Sequence, residues 1–475
     1  MSTNISRRKV VAGAAWAAPV VAASAAVPAF ASSTECEWNS TENYSISGQP
    51  SGARDTLKIT IPAKVDKLRF EVAGGAGGGS AQVAGGSGAL VTGEIPVKAG
   101  QVVELVAAAG GVAYLASEPG VDSAAIWQTR PATGGKGYGN GGDVNEQPVP
   151  ADAKARVEAN APMPSDMKRY LYGGSGGGSS ALIIDGTPIA VAGGGGGAGI
   201  RTQPGTNNMP SSSPFYNPKA VNASTTSLGD TAVKSVLPAG ASASAAAGGD
   251  AETSISHYTV LKPYANERTA MKVAGGKGGN GGVGGAGGEQ PLLYNDANFY
   301  GVLGFTSQNK QELFSSATAG DKGGSGFDGK GADGVFAYSY QIDNNDISKL
   351  EIVHQTNPLN LNEKRPYSEK DTRKSFNGYQ TVVSAGGGAG YGGGGSGAAR
   401  GLSSIITSQK WNANEEPTRY RQNVSALLQA GAGGAGGSYV SPTVPNGIIA
   451  SANNAAKQSG VRNPGHVKVT LCTRS

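Results

Sequence analysis

The chain is poor in the side chains that carry most chemistry. Its 475 residues include three histidines, two cysteines, 15% charged residues and 6% aromatics. His257, His354 and His466 each lack a second His, Cys or paired carboxylate at ligand spacing, which argues against a zinc centre. Three of the 39 basic residues, Arg7, Arg8 and Lys9, fall in the first 31 positions, which hold no acidic residue. The remainder carries 36 basic against 34 acidic residues, so no basic face for nucleic acid is expected. Beyond the N-terminus, no apolar run reaches the ~20 residues of a membrane span. Proline is absent from every glycine run, which excludes collagen, where one Gly in three is joined by abundant Pro.

What is abundant is glycine, 77 residues. Gly275–Gly288 reads GGKGGNGGVGGAGG, with Lys277, Asn280, Val283 and Ala286 in every third position. A period of three fits neither α-helix nor β-strand. It fits an extended left-handed helix with three residues per turn, two faces of which would be bare backbone. The sequence predicts one continuous strut here. Other runs lie at Gly74–Gly79, Gly85–Gly88, Gly134–Gly142, Gly173–Gly178, Gly193–Gly199, Gly323–Gly334, Gly386–Gly397 and Gly431–Gly437. Gly326-Phe-Asp-Gly329 and Ala432-Gly-Gly-Ala435-Gly-Gly keep the same period. Because such helices have no internal hydrogen bonds, their amides must pair with neighbouring runs.

Between the runs stand segments that alternate apolar and polar residues, as half-buried strands do. These are Thr56–Ile61, Lys67–Val72, Ala89–Val97 with Gly93 as a bulge position, Val102–Ala107, Val335–Tyr340 and Gln380–Ser384. Leu350–Val353 and Ile405–Thr407 carry the pattern more faintly. Residues 32–55 are polar and read as an N-terminal arm. Long non-glycine insertions fall at about 143–170, 201–272, 289–319, 341–379 and 408–430. Insertions on a rigid scaffold are where binding concentrates. Tyr294, Phe299, Tyr300, Trp411 and Tyr420 are therefore the candidate interaction residues.

The N-terminus carries an address. Ser6-Arg7-Arg8-Lys9-Val10-Val11 is followed by an Ala/Val-rich stretch to Val27 and a small-x-small site, Ala29-Phe30-Ala31. It resembles the twin-arginine signal peptides of bacterial exported proteins, with cleavage expected after Ala31. Export permits a disulfide, and Cys36 and Cys472 would then tie the two ends of the chain together.

The segment LRFEVAGGAGGGS…GGSGALVTGEIPVKAGQVVELVAAAGG (Leu68–Gly111) resembles the opening of the bacterial glycine-rich surface domain. GGSGGGSSALIIDGTPIAVAGGGGGAG resembles its next unit, a hairpin turning at Asp185-Gly186, and GHVKVTLC its last strand. Related glycine-rich domains occur in phage tail adhesins and in the extracellular part of anaplastic lymphoma kinase-type receptors. The resemblance implies packed polyglycine-II helices and brings no catalytic residue with it.

The patterns that mimic catalytic or metal sites are weak. Ser175 sits in G-x-S-x-G, but the motif acts only on a strand–turn–helix elbow with His and Asp partners. Gly323-Gly-Ser-Gly-Phe-Asp328 begins a calcium-binding nonapeptide that Lys330 breaks, leaving Asp328 and Asp333 as its candidate ligands. Asp343–Asp346 hints at an EF-hand loop, but Ile347 fills an oxygen-ligand position and Ser348 stands where glycine is required.

The expected fold is mainly β with polyglycine-II helices, a glycine-rich single-chain bundle flanked by antiparallel strands, spanning residues 32–475. The expected function is that of an exported, non-enzymatic extracellular or cell-surface protein without a cofactor. Its scaffold would present loops to a surface protein or glycan. The alternative is a self-assembling structural component of the envelope, and a secreted enzyme ranks below both.

Overall fold

A computed structural model describes residues 36–79, 84–114, 130–147, 169–203, 217–221, 235–236, 242–243, 250–258, 266–291, 316–341, 378–409 and 420–474. Arg7, Arg8, Ala31 and Leu350–Val353 lie outside them. Among the described residues the chain is all-β, with no helix.

Sheet I runs in the order β1 (Glu37–Ser47), β22 (His466–Thr473), β3 (Val65–Ala73), β4 (Ala89–Pro96), β21 (Ile448–Ser451), β11 (Ser235–Val236). Sheet II runs β12 (Ser242–Ala243), β20 (Ser438–Val440), β8 (Thr187–Ala192), β7 (Ser180–Ile184), β5 (Val102–Ala107), β2 (Asp55–Thr60). Sheet III runs β10 (Asn217–Val221), β9 (Gly199–Gln203), β19 (Tyr420–Ala430), β18 (Ala399–Gln409), β15 (Ser316–Thr318). Sheet IV is β16 (Phe336–Gln341), β17 (Gly378–Val383) and β6 (Arg169–Tyr172). A separate hairpin joins β13 (Ala251–Tyr258) and β14 (Asn266–Val273). All pairings between these strands are antiparallel except β17 with β6.

Sheets I and II share the largest core. In β3, Leu68, Phe70 and Val72 are buried while Lys67 and Arg69 are exposed, the period-two pattern the sequence predicts. They pack with Leu105 of β5, Leu182 of β7 and Val469 and Leu471 of β22. Each such side chain contributes about 1.5–3 kcal/mol on burial. Leu171, Val382 and Leu428 belong to a second, smaller core, formed by sheets III and IV.

Several local expectations are corrected. The polar segment after residue 32 is not a free arm: β1 pairs along β22 from Glu37↔Thr473 to Ser47↔His466. Gly93 marks no bulge, because β3 and β4 stay in register through Phe70↔Gly93. A Cβ there would lie 2.5 Å from Val444 Cγ1 and 2.9 Å from Phe70 Cζ, so Gly93 makes room for the Phe70 ring. The hairpin at Asp185-Gly186 forms as read, with φ of 48° and 79°, the left-handed pair of a two-residue turn.

The glycine runs form neither helix nor β-ladder, yet their amides are bonded between runs. Gly174 and Gly177 donate to Ala198 and Gly195. Ser175 and Gly178 donate to Val112 and Ala109, and Gly176 and Ser179 to Gly142 and Gly139. One segment thus serves three neighbours, each with every third residue. The same rotation recurs from Ala385 to Tyr391. Residues 385, 388 and 391 donate to 431, 434 and 437; residues 386 and 389 to 174 and 177; residues 387 and 390 to 332 and 329. The approach is closer than any Cβ allows: one on Gly176 would fall 1.8 Å from Gly387 O.

Serines embedded at the ends of runs serve amides that the runs leave over. The Oγ atoms of Ser180, Ser384, Ser396 and Ser438 accept from the N–H groups of Ala108, Val335, Asp321 and Gly193 at 2.8–3.0 Å. Ser175 Oγ likewise accepts from Val112 N at 2.9 Å, donates to Thr133 O at 2.8 Å and is fully buried. It is a structural tie, not an exposed nucleophile.

The strut expected at Gly275–Gly288 is two legs rather than one. Lys277 N donates to Ala286 O, and Asn280 and Val283 bond to each other across a turn at Gly281 and Gly282, whose φ are 58° and 77°. Lys277, Asn280, Val283 and Ala286 are exposed, as the period predicts, but they are shared between the legs. Gly326-Phe-Asp-Gly329 is likewise a turn, with Gly326 at φ 100° and Gly329 N donating to Gly326 O.

Candidate functional site

Four glycine runs double back, and their tips meet. The legs close through Gly141 N to Gly135 O, Lys277 N to Ala286 O, Gly324 N to Lys330 O and Gly394 N to Gly388 O, at 2.7–2.9 Å. Three tips then bond in a ring: Gly282 N to Tyr391 O, Gly326 N to Gly282 O and Gly392 N to Gly326 O. The fourth lies alongside, where a Cβ on Gly139 would stand 2.8 Å from Asp328 O and Gly331 N donates to Asn140 O.

This convergence gathers half-buried aromatic rings. Phe327 stacks on Tyr391 with centroids 4.7 Å apart and planes at 26°, and Tyr439 meets them at 5.0 and 5.1 Å. Phe327, Tyr439 and Tyr138 pack over Val106, Ala181, Ile183 and Val191 on the outer face of sheet II. Offset and edge contacts of this kind add about 0.5–1.5 kcal/mol per pair beyond burial. Burial raises the Tyr138 hydroxyl above its ordinary range, with the Asp328 and Glu104 carboxylates adding to the shift. Tyr138 therefore remains a neutral donor at any physiological pH.

Beside this cluster is an open depression of about 400 Å3 lined by Ala53, Arg54, Lys136 and Asn140. Its floor is held by backbone. Lys136 N donates to Gly52 O at 3.0 Å, Arg54 Nη1 to Gly137 O at 3.3 Å, and Gly137 N to Asn140 Oδ1 at 3.3 Å. Arg462 lies against Gly52, the residue before Ala53: a Cβ on Gly52 would touch its guanidinium at 3.0 Å. Arg462 Nη1 and Nη2 donate to Gly110 O and Thr133 Oγ1 at 2.7 and 2.9 Å.

The predicted site residues fare differently. Cys36 and Cys472 are joined, with Cα atoms 5.4 Å apart across 436 residues of sequence. Asp328 lies exposed at a tip, whereas both Asp333 oxygens are taken, by Asp143 N at 2.7 Å and Lys330 Nζ at 2.8 Å. Among the described residues no group of three His, Cys, Asp or Glu is placed to hold a metal. His466 contacts Glu71 from the adjacent strand. His257 falls in β13. His354, Tyr294, Phe299, Tyr300 and Trp411 lie outside the described residues, and Tyr420 opens β19 opposite Gln409.

The aromatic cluster and the depression were missed by sequence reasoning, though a signal exists. Tyr138 and Tyr391 each stand alone between two glycines, and Phe327 follows one, in the middle of a run. A lone ring in a glycine run marks its tip. The chain matches no family model, and no curated protein is similar to it in sequence.

Proposed function

We propose that the chain is an exported, non-enzymatic extracellular or cell-surface protein whose glycine runs form a polyglycine-II-type bundle, a rigid scaffold for adhesion to a protein or glycan. The observation that carries this reading is the rotation of hydrogen-bond partners with a period of three along Gly173–Ser179 and Ala385–Tyr391. That is the pattern expected of three-fold helices packed side by side, antiparallel around Gly173–Ser179 and of mixed direction around Ala385–Tyr391, and neither a strand nor a disordered linker produces it. Such a scaffold positions surface groups without the mobility of ordinary loops, which lowers the ordering cost of binding.

Export is supported by the twin-arginine pattern at Arg7 and Arg8, the cleavage motif ending at Ala31 and the Cys36–Cys472 disulfide. Binding is supported by the long insertions and by the aromatic tips. The test is a glycan-array and whole-cell binding screen with the mature chain, deleting insertions one at a time. Binding that falls on deletion of one insertion, or on substitution at the tips, supports the reading. A chain that binds nothing and assembles into polymers at low concentration replaces it with the envelope-component reading.

A further inference from the structure

We infer that the depression lined by Ala53, Arg54, Lys136 and Asn140 is a binding site for an acidic glycan, an inference that rests on the binding-scaffold reading above. Arg54 and Lys136 would take the carboxylate or sulfate of one sugar, and Asn140 a hydroxyl of its neighbour.

Charge is the first argument. Among the described residues, Lys58, Arg69, Lys272, Lys330, Lys468 and Arg474 have carboxylate partners within ion-pair distance, while Lys67, Lys98 and Lys322 are single surface cations without one. Arg54 and Lys136 have none among those residues, although they share one depression. Arg462 lies behind Gly52 but is already engaged, bonded to Gly110 O and Thr133 Oγ1 and under the influence of the Asp143 carboxylate. Arg54 and Lys136, held together with no carboxylate partner among the described residues, form a receptor for an anion. The guanidinium fork matches carboxylate and sulfate geometry, and Lys136 supplies a point charge.

Size and rigidity are the second argument. A volume of about 400 Å3 suits one or two sugar rings, near the small end of the ~300–1,000 Å3 typical of ligand sites. The walls are set by three backbone-anchored hydrogen bonds and by Gly52, whose φ of 96° fixes the turn before Arg54. Asn140 offers an amide on the same tip as Tyr138. Tyr138, half-buried over sheet II with Phe327 and Tyr439, stands on the same tip between Lys136 and Asn140.

The experiment titrates the full exported chain, disulfide intact, calorimetrically with an oligogalacturonate hexamer, a heparin hexasaccharide, neutral cellohexaose and inorganic sulfate. The Arg54→Ala/Lys136→Ala double variant is run beside it, with its thermal midpoint measured. Expected is binding of at least one acidic oligosaccharide, weaker at high salt. The double variant should lose about tenfold or more, the equivalent of ~1.4 kcal/mol, at an unchanged midpoint. The two acidic arms separate a uronate from a sulfate ligand. The inference is overturned if neither acidic oligosaccharide binds, if the double variant binds them as the parent does, or if inorganic sulfate binds as tightly. It is also overturned if duplex DNA competes equally, which would mark a nonspecific polyanion surface. Cell binding that persists in the double variant overturns this site alone. A parent chain that binds no cell, glycan or protein overturns the scaffold reading as well.

Discussion

At the scale of the residue, glycine matters here for what it lacks. The Cβ atoms that alanine would bring to Gly176 and Gly284 would stand 1.8 Å from Gly387 O and Gly323 O. The clash is with backbone on a neighbouring run, so no side chain can turn aside. Gly176→Ala and Gly284→Ala are each expected to cost about 3 kcal/mol, the upper range for overpacking. Gly100→Ala provides the contrast. Its φ is 85°, but nothing lies within 4 Å of the added atom, so only the left-handed backbone is penalised, by about 1 kcal/mol. Denaturant midpoints of the three variants check this, and equal losses would contradict the close-approach account. Tyr138, Phe327 and Tyr391 show the opposite limit. Their types were legible in the sequence as rings among glycines, but their meeting was not, because it depends on hydrogen bonds between tips far apart in the chain.

At the scale of the element, strands β3 and β22 carry a cluster that titrates. Glu71 accepts from Lys468 Nζ at 2.9 Å and contacts His466 Nε2, and all three sit on one face of the β3–β22 ladder. Burial alone would raise the Glu71 carboxyl. The hydrogen bonds from Lys468 and His466 outweigh it and hold the group below its ordinary 4.5. The folded state therefore binds fewer protons here than the unfolded chain in acid. The contribution is present above about pH 4.5 and is lost as pH falls through the lowered folded value. Glu71 is about a third exposed, so the effect is that of a surface pair, less than about 1 kcal/mol. Thermal midpoints of the parent and Glu71→Gln between about pH 6 and 3 should converge at the acid end. A constant offset across that range would remove Glu71 from the acid response.

The glycine runs are elements too, and their order can be measured. The amides of Gly174 to Gly178 are bonded to three separate runs. Their hydrogen exchange should be as slow as that of β3, since both open only with the whole structure. Exchange at the rate of an unprotected chain would return these runs to linkers.

At the scale of the molecule, the disulfide closes the chain on itself. Cys36 precedes β1, and Cys472 lies in β22, the strand that also pairs with β3. The bridge therefore pins an edge strand onto the sheet that the C-terminus completes. With a sequence separation of 436 between the cysteines, the chain-entropy model gives up to about 5 kcal/mol. Cys36→Ser with Cys472→Ser should lower the thermal midpoint, and reducing agent should do the same to the parent and nothing to the variant.

The sequence by itself determined the local rules. Alternation in Leu68–Val72 determined a strand, because one face of it had to be buried. Asp185-Gly186 determined a hairpin, because few residue pairs accept two left-handed angles in succession. Glycine in two positions of three determined backbone-to-backbone packing, because nothing else remained to pack. The tertiary structure decided which run lies beside which, where Gly275–Gly288 folds on itself and which rings meet at the tips. The physical reason is common to all three. Those choices are made by amide–carbonyl bonds between distant glycines, and a residue without a side chain leaves no record of its partner.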